Sequence, residues 1–187
     1  MTRTPAADAP ASPVVIDEAA YEAQARAELA AWLAKMRKGP SLLDQASRGV
    51  QGRINRIIPE QVHAAVTAVI ERLTRAIVAG SDLTTAKPLR EGALSAREAQ
   101  VRGRIGAYRA AAAAEGGVAG AGGFALALAE FPTLIATKIK LLFDIAALYG
   151  HDGTELSERL YILSIFQLAF SGADHRRDVL DAMADWA

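Results

Sequence analysis

Apolar residues recur at intervals of three and four along most of the chain. Leu29, Trp32, Leu33 and Met36 form the first such stripe, inside a segment that begins with acidic residues and ends with Lys35, Arg37 and Lys38. That pattern predicts an amphipathic helix with charges matched to its dipole. Gly39-Pro40 stops it. A second helix is predicted from Ser41 to about Ile57, opened by Ser41 with Asp44 in the capping-box position. Pro59 suits the first turn of a third, which carries Val62, Val66, Val69, Ile70, Leu73 and Ile77 at helical spacing and ends at Gly80. Ser95 with Glu98 reads as a capping box for a helix to about Ala114. Three further helices are predicted: Phe131 to Tyr149 with Pro132 early in it, Glu155 to Phe170, and Asp174 to Trp186 with Asp174 as N-cap. No stretch alternates as a strand would. The pattern predicts an all-α fold: one helical bundle over residues 16–187, preceded by a Pro- and Ala-rich disordered tail over 1–15.

Beyond Ala110 the patterning changes, because the chain becomes almost uniformly apolar. The uncharged runs Gly116–Ala129 and Leu160–Ala173 are each 14 residues long, shorter than the roughly 20 that span a bilayer. Extending the first run draws in Glu130, and a carboxylate at mid-bilayer is costly. Gly116 and Gly120 are spaced as GxxxG, with Gly123 just beyond. Without Cβ atoms, these positions allow another helix to approach closely. The expectation is a Gly/Ala-rich, closely packed helical hairpin between Gly116 and Phe170 that sits against a membrane rather than crossing it. A nucleotide loop does not fit "GGVAGAGG", which lacks the preceding strand and the following Lys-Ser/Thr.

Charge and composition narrow the function classes. Lys plus Arg and Asp plus Glu both number 21, so the formal net charge is zero and no global electrostatic case for nucleic acid exists. Cysteine is absent, which excludes disulfides, thiolate metal sites and cysteine nucleophiles. The N-terminus lacks the apolar core of a signal peptide, so the default location is cytoplasmic, with peripheral contact at the inner face of the membrane. His63, His151 and His175 are far apart and show no metal-ligand spacing. Glu130, Asp144, Asp152 and Arg159 lie in or beside apolar helices, where a charge must be paired. A buried Asp144–Arg159 ion pair is the structural expectation. A polar cluster recognising a lipid headgroup or a transporter helix is the functional one. Glu130, just before Pro132, has a purely structural reading at a helix start. Lys138 and Lys140, near Phe131 and Phe143, suit a membrane interface or the rim of a helix packed in water. No nucleophile, metal or cofactor constellation is visible, so the expected function is non-enzymatic and without cofactor.

The order of features from residue 95 to 172 resembles the EcsC family. "GGVAGAGGFALALAEFP" is similar to the family's glycine-rich segment ending in an acidic residue, one further residue and proline, here Glu130-Phe131-Pro132. The family commonly has Asp at the first of these. "IAALYGHD" resembles its apolar-Tyr-Gly-polar-Asp stretch at Tyr149, Gly150 and Asp152, and "ERLYILSIFQLA" its Arg-containing apolar helix at Arg159. The resemblance implies a mostly helical bacterial protein, often found beside an ABC transporter of the Ecs type. Family members run on past the position of Ala187, so a short or shortened member is implied. The expected function is a membrane-proximal accessory protein associated with lipid or a transporter. The alternative is a soluble helical module holding a hydrophobic ligand or a partner helix.

Overall fold

The computed structural model describes residues 16–38, 60–80, 87–119 and 123–185. The predicted tail and the predicted helix from Ser41 to Ile57 lie outside these residues. Six α-helices and no strand are present among the described residues: α1 (Glu18–Met36), α2 (Glu60–Val78), α3 (Leu94–Ala119), α4 (Gly123–Leu148), α5 (Leu156–Phe170) and α6 (Ala173–Ala184). The fold is all-α.

The main core is built on α4. Ile135, Ile139 and Phe143 recur every four residues and bury one face of α4 against Ile77 of α2 and Ile162 of α5. Leu73, Phe131, Leu142, Ala146, Leu163 and Phe166 close around them. A smaller core joins Leu168 of α5 to Val179 and Leu180 of α6, and Leu33 and Met36 of α1 pack on it. Helix α1 has no buried residue. Half of its predicted stripe, Leu33 and Met36, meets this small core, while Leu29 and Trp32 stay exposed.

Several boundaries differ from the sequence reading, among them the end of α3, which falls at Ala119 rather than about Ala114. Helix α4 begins at Gly123 rather than Phe131, which places Pro132 inside the helix. The Ala and Leu residues before it, good helix formers, extend the helix despite the proline, which removes one N–H and costs about 3 kcal/mol in a helix interior. Helix α3 begins at Leu94, with Ser95 already in its first turn, so Ser95 and Glu98 do not form a capping box. Ser95 instead gives its backbone N–H and its hydroxyl to the Glu18 carboxylate of α1, at 2.9 and 2.6 Å. A charged acceptor from another helix satisfies the orphan donor that a local cap would have taken. Helix α6 begins at Ala173, with Gly172 as N-cap and no side-chain cap bond. Asp174 is therefore within the helix.

Helices α3 and α4 run antiparallel, since Arg97 near the start of α3 reaches Leu148 at the end of α4 and Tyr108 reaches Asp144. Helix α5 returns along α4, placing Phe170 at its last position beside Lys138. From Lys138 back to Gly123, about 20 Å of α4 at 1.5 Å per residue runs past that end of α5. Among the described residues no helix is long and apolar enough to cross a membrane.

Candidate functional site

The end of α4 is where polar chemistry gathers. Its last carbonyls form a Schellman-type stop: Gly150 N–H donates to Ala147 O at 3.0 Å and His151 N–H to Ala146 O at 3.0 Å. Gly150 sits at φ +96, in the left-handed region, and a Cβ there would lie 3.1 Å from Leu89 O and 3.3 Å from Arg97 Nη1. Leu89 N–H donates to Ala147 O at 2.7 Å, and Arg97 Nη1 to Leu148 O at 3.3 Å. The segment before α3 and the first turn of α3 thus cap the end of α4.

One turn inward lies Asp144, 7% exposed, the buried charged residue among those described. Tyr108 donates its hydroxyl to Asp144 Oδ2 at 3.0 Å. Arg104 Nη1 lies 3.8 Å from Oδ2 and Lys140 Nζ 3.7 Å from Oδ1. Those distances are too long for hydrogen bonds, so both cations act through charge alone. Burial, and then the bond to the carboxylate, push the Tyr108 hydroxyl above its ordinary pKa. Arg97, Val101, Arg104 and Tyr108 repeat at i, i+4, i+7 and i+11 along α3. That spacing puts them on one helix face, and it is the signal by which sequence reading could have found Arg104 and Tyr108. Beside this group an open groove of about 330 Å³ is lined by Gln100, Gly103, Arg104, Ala107 and Leu148.

A second polar set joins α1 to α3. Tyr21 donates to Glu98 Oε2 at 2.6 Å, and Arg102 to the same oxygen at 3.3 Å. The Ser95 hydroxyl, then its N–H, holds the Glu18 carboxyl below the usual glutamate range. Tyr149 borders this set, and burial, then the Glu98 charge, raise its pKa.

The candidate residues read from the sequence do not converge. Asp144 and Arg159 do not pair. Arg159 gives Nη1 to Thr154 O at 2.6 Å and Nη2 to Val78 O at 3.1 Å, tying the start of α5 to the last turn of α2. The reason is positional: Asp144 faces α3, whereas Arg159 faces the carboxyl end of α2, whose free carbonyls attract a guanidinium. Its Nη1 lies 3.2 Å from where a Cβ on Gly80 would be, and Gly80 has φ +78. Asp152 accepts the Thr154 hydroxyl at 2.7 Å and the Thr154 N–H at 2.9 Å. The hydroxyl first, then the N–H, hold its carboxyl below the ordinary aspartate value. Asp152 therefore shapes the turn that leads into α5. The Glu130 side chain, Gly120 and the surroundings of Gly116 and Gly123 lie outside what is described, as does the His63 side chain. His151 Nδ1 sits 3.0 Å from Glu158, and His175 Nδ1 sits 3.9 Å from Asp178.

Lys138 and Lys140 differ in use. Lys140 serves Asp144, while Lys138 Nζ sits 5.2 Å above the Phe170 ring, which stacks on Phe166 at 4.6 Å. Phe170 is 58% exposed and Leu134, one turn from Lys138, is 45% exposed. Leu134, Phe170 and Lys138 thus present two apolar groups and one cation at the surface, while the half-buried Phe166 packs on the main core.

An all-α bundle whose polar side chains tie one helix end to the next is the class of protein these features define. The chain belongs to the EcsC protein family, which it matches over residues 23–187. It is 35% identical over 156 residues to protein EcsC of Bacillus subtilis (strain 168), covering 83% of this chain and 66% of that protein. It is 33% identical over 73 residues to Uncharacterized protein YdbA of the same organism, covering 39% of this chain and 27% of that protein. The chain thus spans less than two thirds of the length of either relative. No solved structure matches it.

Proposed function

We propose that this chain is a non-enzymatic accessory protein that works at the inner face of a membrane, beside a transporter of the kind the EcsC resemblance implies. The observation that carries the reading is the exposed Leu134 and Phe170, with Lys138 over the Phe170 ring. Aromatic and aliphatic groups edged by a lysine suit the boundary between headgroups and acyl chains. Lys138 and Phe170 meet at the last turn of α5, and membrane contact with these exposed groups leaves the bundle intact. The polar residues nearer the other end are engaged in holding helices: both Asp144 oxygens face cations and Tyr108, and Arg159 binds two backbone carbonyls.

Flotation of the purified chain with liposomes tests this. The wild type is expected to float, and Leu134→Ser with Phe170→Ser to remain at the bottom of the gradient with an unchanged circular dichroism spectrum. Equal flotation of both proteins would remove the patch from the mechanism. A second reading, a module that receives a partner helix, draws on the open groove at Gln100, Gly103, Arg104, Ala107 and Leu148. Gly103 carries nothing within 4 Å of where its Cβ would be, so a foreign backbone has room to approach. Under that reading the chain does not float with liposomes, and Gly103→Leu abolishes binding of the partner helix.

A further inference from the structure

The groove between α3 and α4 has a cation at its wall whose hydrogen-bond donors are unused. Gln100, Gly103, Arg104 and Ala107 recur at i, i+3, i+4 and i+7, so they share one side of α3, and Leu148 of α4 completes the lining of about 330 Å³ of open space. Arg104, with half its side chain exposed, stands 3.8 Å from Asp144 Oδ2, and Lys140 stands 3.7 Å from Oδ1. Tyr108 takes the hydrogen bond to Oδ2. Neither cation, nor the Gln100 amide, makes a hydrogen bond to a described residue. Asp144 therefore holds the two cations by charge and leaves their N–H donors open. The acids around the groove do not cancel this arrangement. Among the described side chains of α3 and α4 they are Asp144 and Glu98. Glu98 is turned toward α1, where Tyr21 binds it, and Arg102 pairs with it. Glu91, in the segment before α3, stands next to Arg90. Arg97 gives its donors to Gly92 O and Leu148 O, so it adds charge but no open donor. In the cluster itself, two cations against one buried carboxylate leave a single positive charge.

We infer that this groove binds a monoanionic amphiphile, with the anionic oxygens on Arg104 and the Gln100 amide and the apolar body along Ala107 and Leu148. The single residual charge selects a carboxylate or a phosphodiester over a neutral lipid or a dianionic phosphate. The guanidinium fork matches two oxygens of either group. Gly103 has nothing within 4 Å of where its Cβ would be, so the floor of the groove is open. A volume of about 330 Å³ lies within the range of small-ligand sites. A free fatty acid and a phospholipid headgroup are the two sources of this chemistry. The inference goes beyond the membrane reading and does not rest on it, because Leu134 lies about 21 Å along α4 from Leu148 at 1.5 Å per residue.

The test is an NMR titration of the full chain with decanoate, with dihexanoyl phosphatidylglycerol and with decanol, each below the concentration at which it aggregates. The signals followed are the Gly103 amide and the Gln100 side-chain amide. Two variants are run beside the wild type. Arg104→Gln leaves Asp144 with Tyr108 and Lys140 as partners, and Gly103→Leu places a good helix former in open space, so both retain the fold. Wild type is expected to bind at least one of the two anions and to shift both signals. Arg104→Gln is expected to weaken that binding roughly tenfold or more, as the loss of a charge-assisted hydrogen bond does. Gly103→Leu fills the groove and is expected to abolish it. Binding of decanoate alone assigns the site to a free fatty acid, and binding of the phosphatidylglycerol alone assigns it to a headgroup. Decanol binding as tightly as decanoate overturns the inference if the phosphatidylglycerol does not bind. Anion binding that neither variant weakens overturns it by placing the ligand elsewhere. Binding of neither anion overturns it and leaves the groove to a partner helix, with flotation of the chain on liposomes unaffected.

Discussion

Gly150 and Gly103 show how the same residue serves opposite ends at two positions. Gly150 is at φ +96 with Leu89 O and Arg97 Nη1 close to its missing Cβ. Gly150→Ala is expected to destabilise the fold by about 1–2 kcal/mol in urea unfolding, since strain and crowding add. Gly103 lies inside α3 with open space around it. Gly103→Ala is expected to stabilise by about 0.5–1 kcal/mol, the ordinary helix preference for alanine. Tyr108→Phe removes the hydrogen bond to Asp144 and is expected to cost about 1–2 kcal/mol, because that carboxylate is buried and its remaining partners stand beyond hydrogen-bond distance. Glu18 and Asp152 have folded pKa values below their ordinary ones. Their contribution is therefore present above the ordinary carboxylate range, starts to fall as pH drops through about 4, and is lost through the lower folded values. Ser95→Ala should raise the Glu18 pKa in an NMR titration and shift the acid-unfolding midpoint to higher pH.

At the level of elements, α1 is held at its two ends. Glu18 and Tyr21 bind α3 at one end, and Leu33, Met36 and the Arg37 carbonyl meet α5 and α6 at the other, with no buried residue between. Amides of α1 are expected to exchange with deuterium well before those of α4 around Ile135–Phe143, which line the main core. Helix existence was legible from apolar periodicity wherever a stripe had a core to face, as with Leu73 and Ile77 of α2. Boundaries were less so. Ser95 and Glu98 have the spacing of a capping box, but a carboxylate 77 positions away took the donors. Pro132 reads as a helix start, but the residues before it extend the helix through it. The site was less legible still. Asp144 stood out as a charge in an apolar helix, yet its partners could not be named without the register between α3 and α4. Arg159 was visible as an isolated cation, while its role depends on where the chain end of α2 falls.

Across the whole molecule, charge is balanced in number, with Lys plus Arg equal to Asp plus Glu. Neutral sequences usually give no reason to expect salt-dependent binding. The overhang of α4 has a mechanical consequence. Its C-terminal end is clamped by Leu89, Arg97 and the Gly150 stop, whereas Pro132 cannot donate to the carbonyl four residues before it. The helix is also held along its middle by Phe131, Ile135 and Ile139 in the main core, and its hydrogen-bond ladder is interrupted at the proline. A turn of only about 10° there would sweep the beginning of α4 through about 2 Å, given about 14 Å of helix between Pro132 and Gly123 at 1.5 Å per residue.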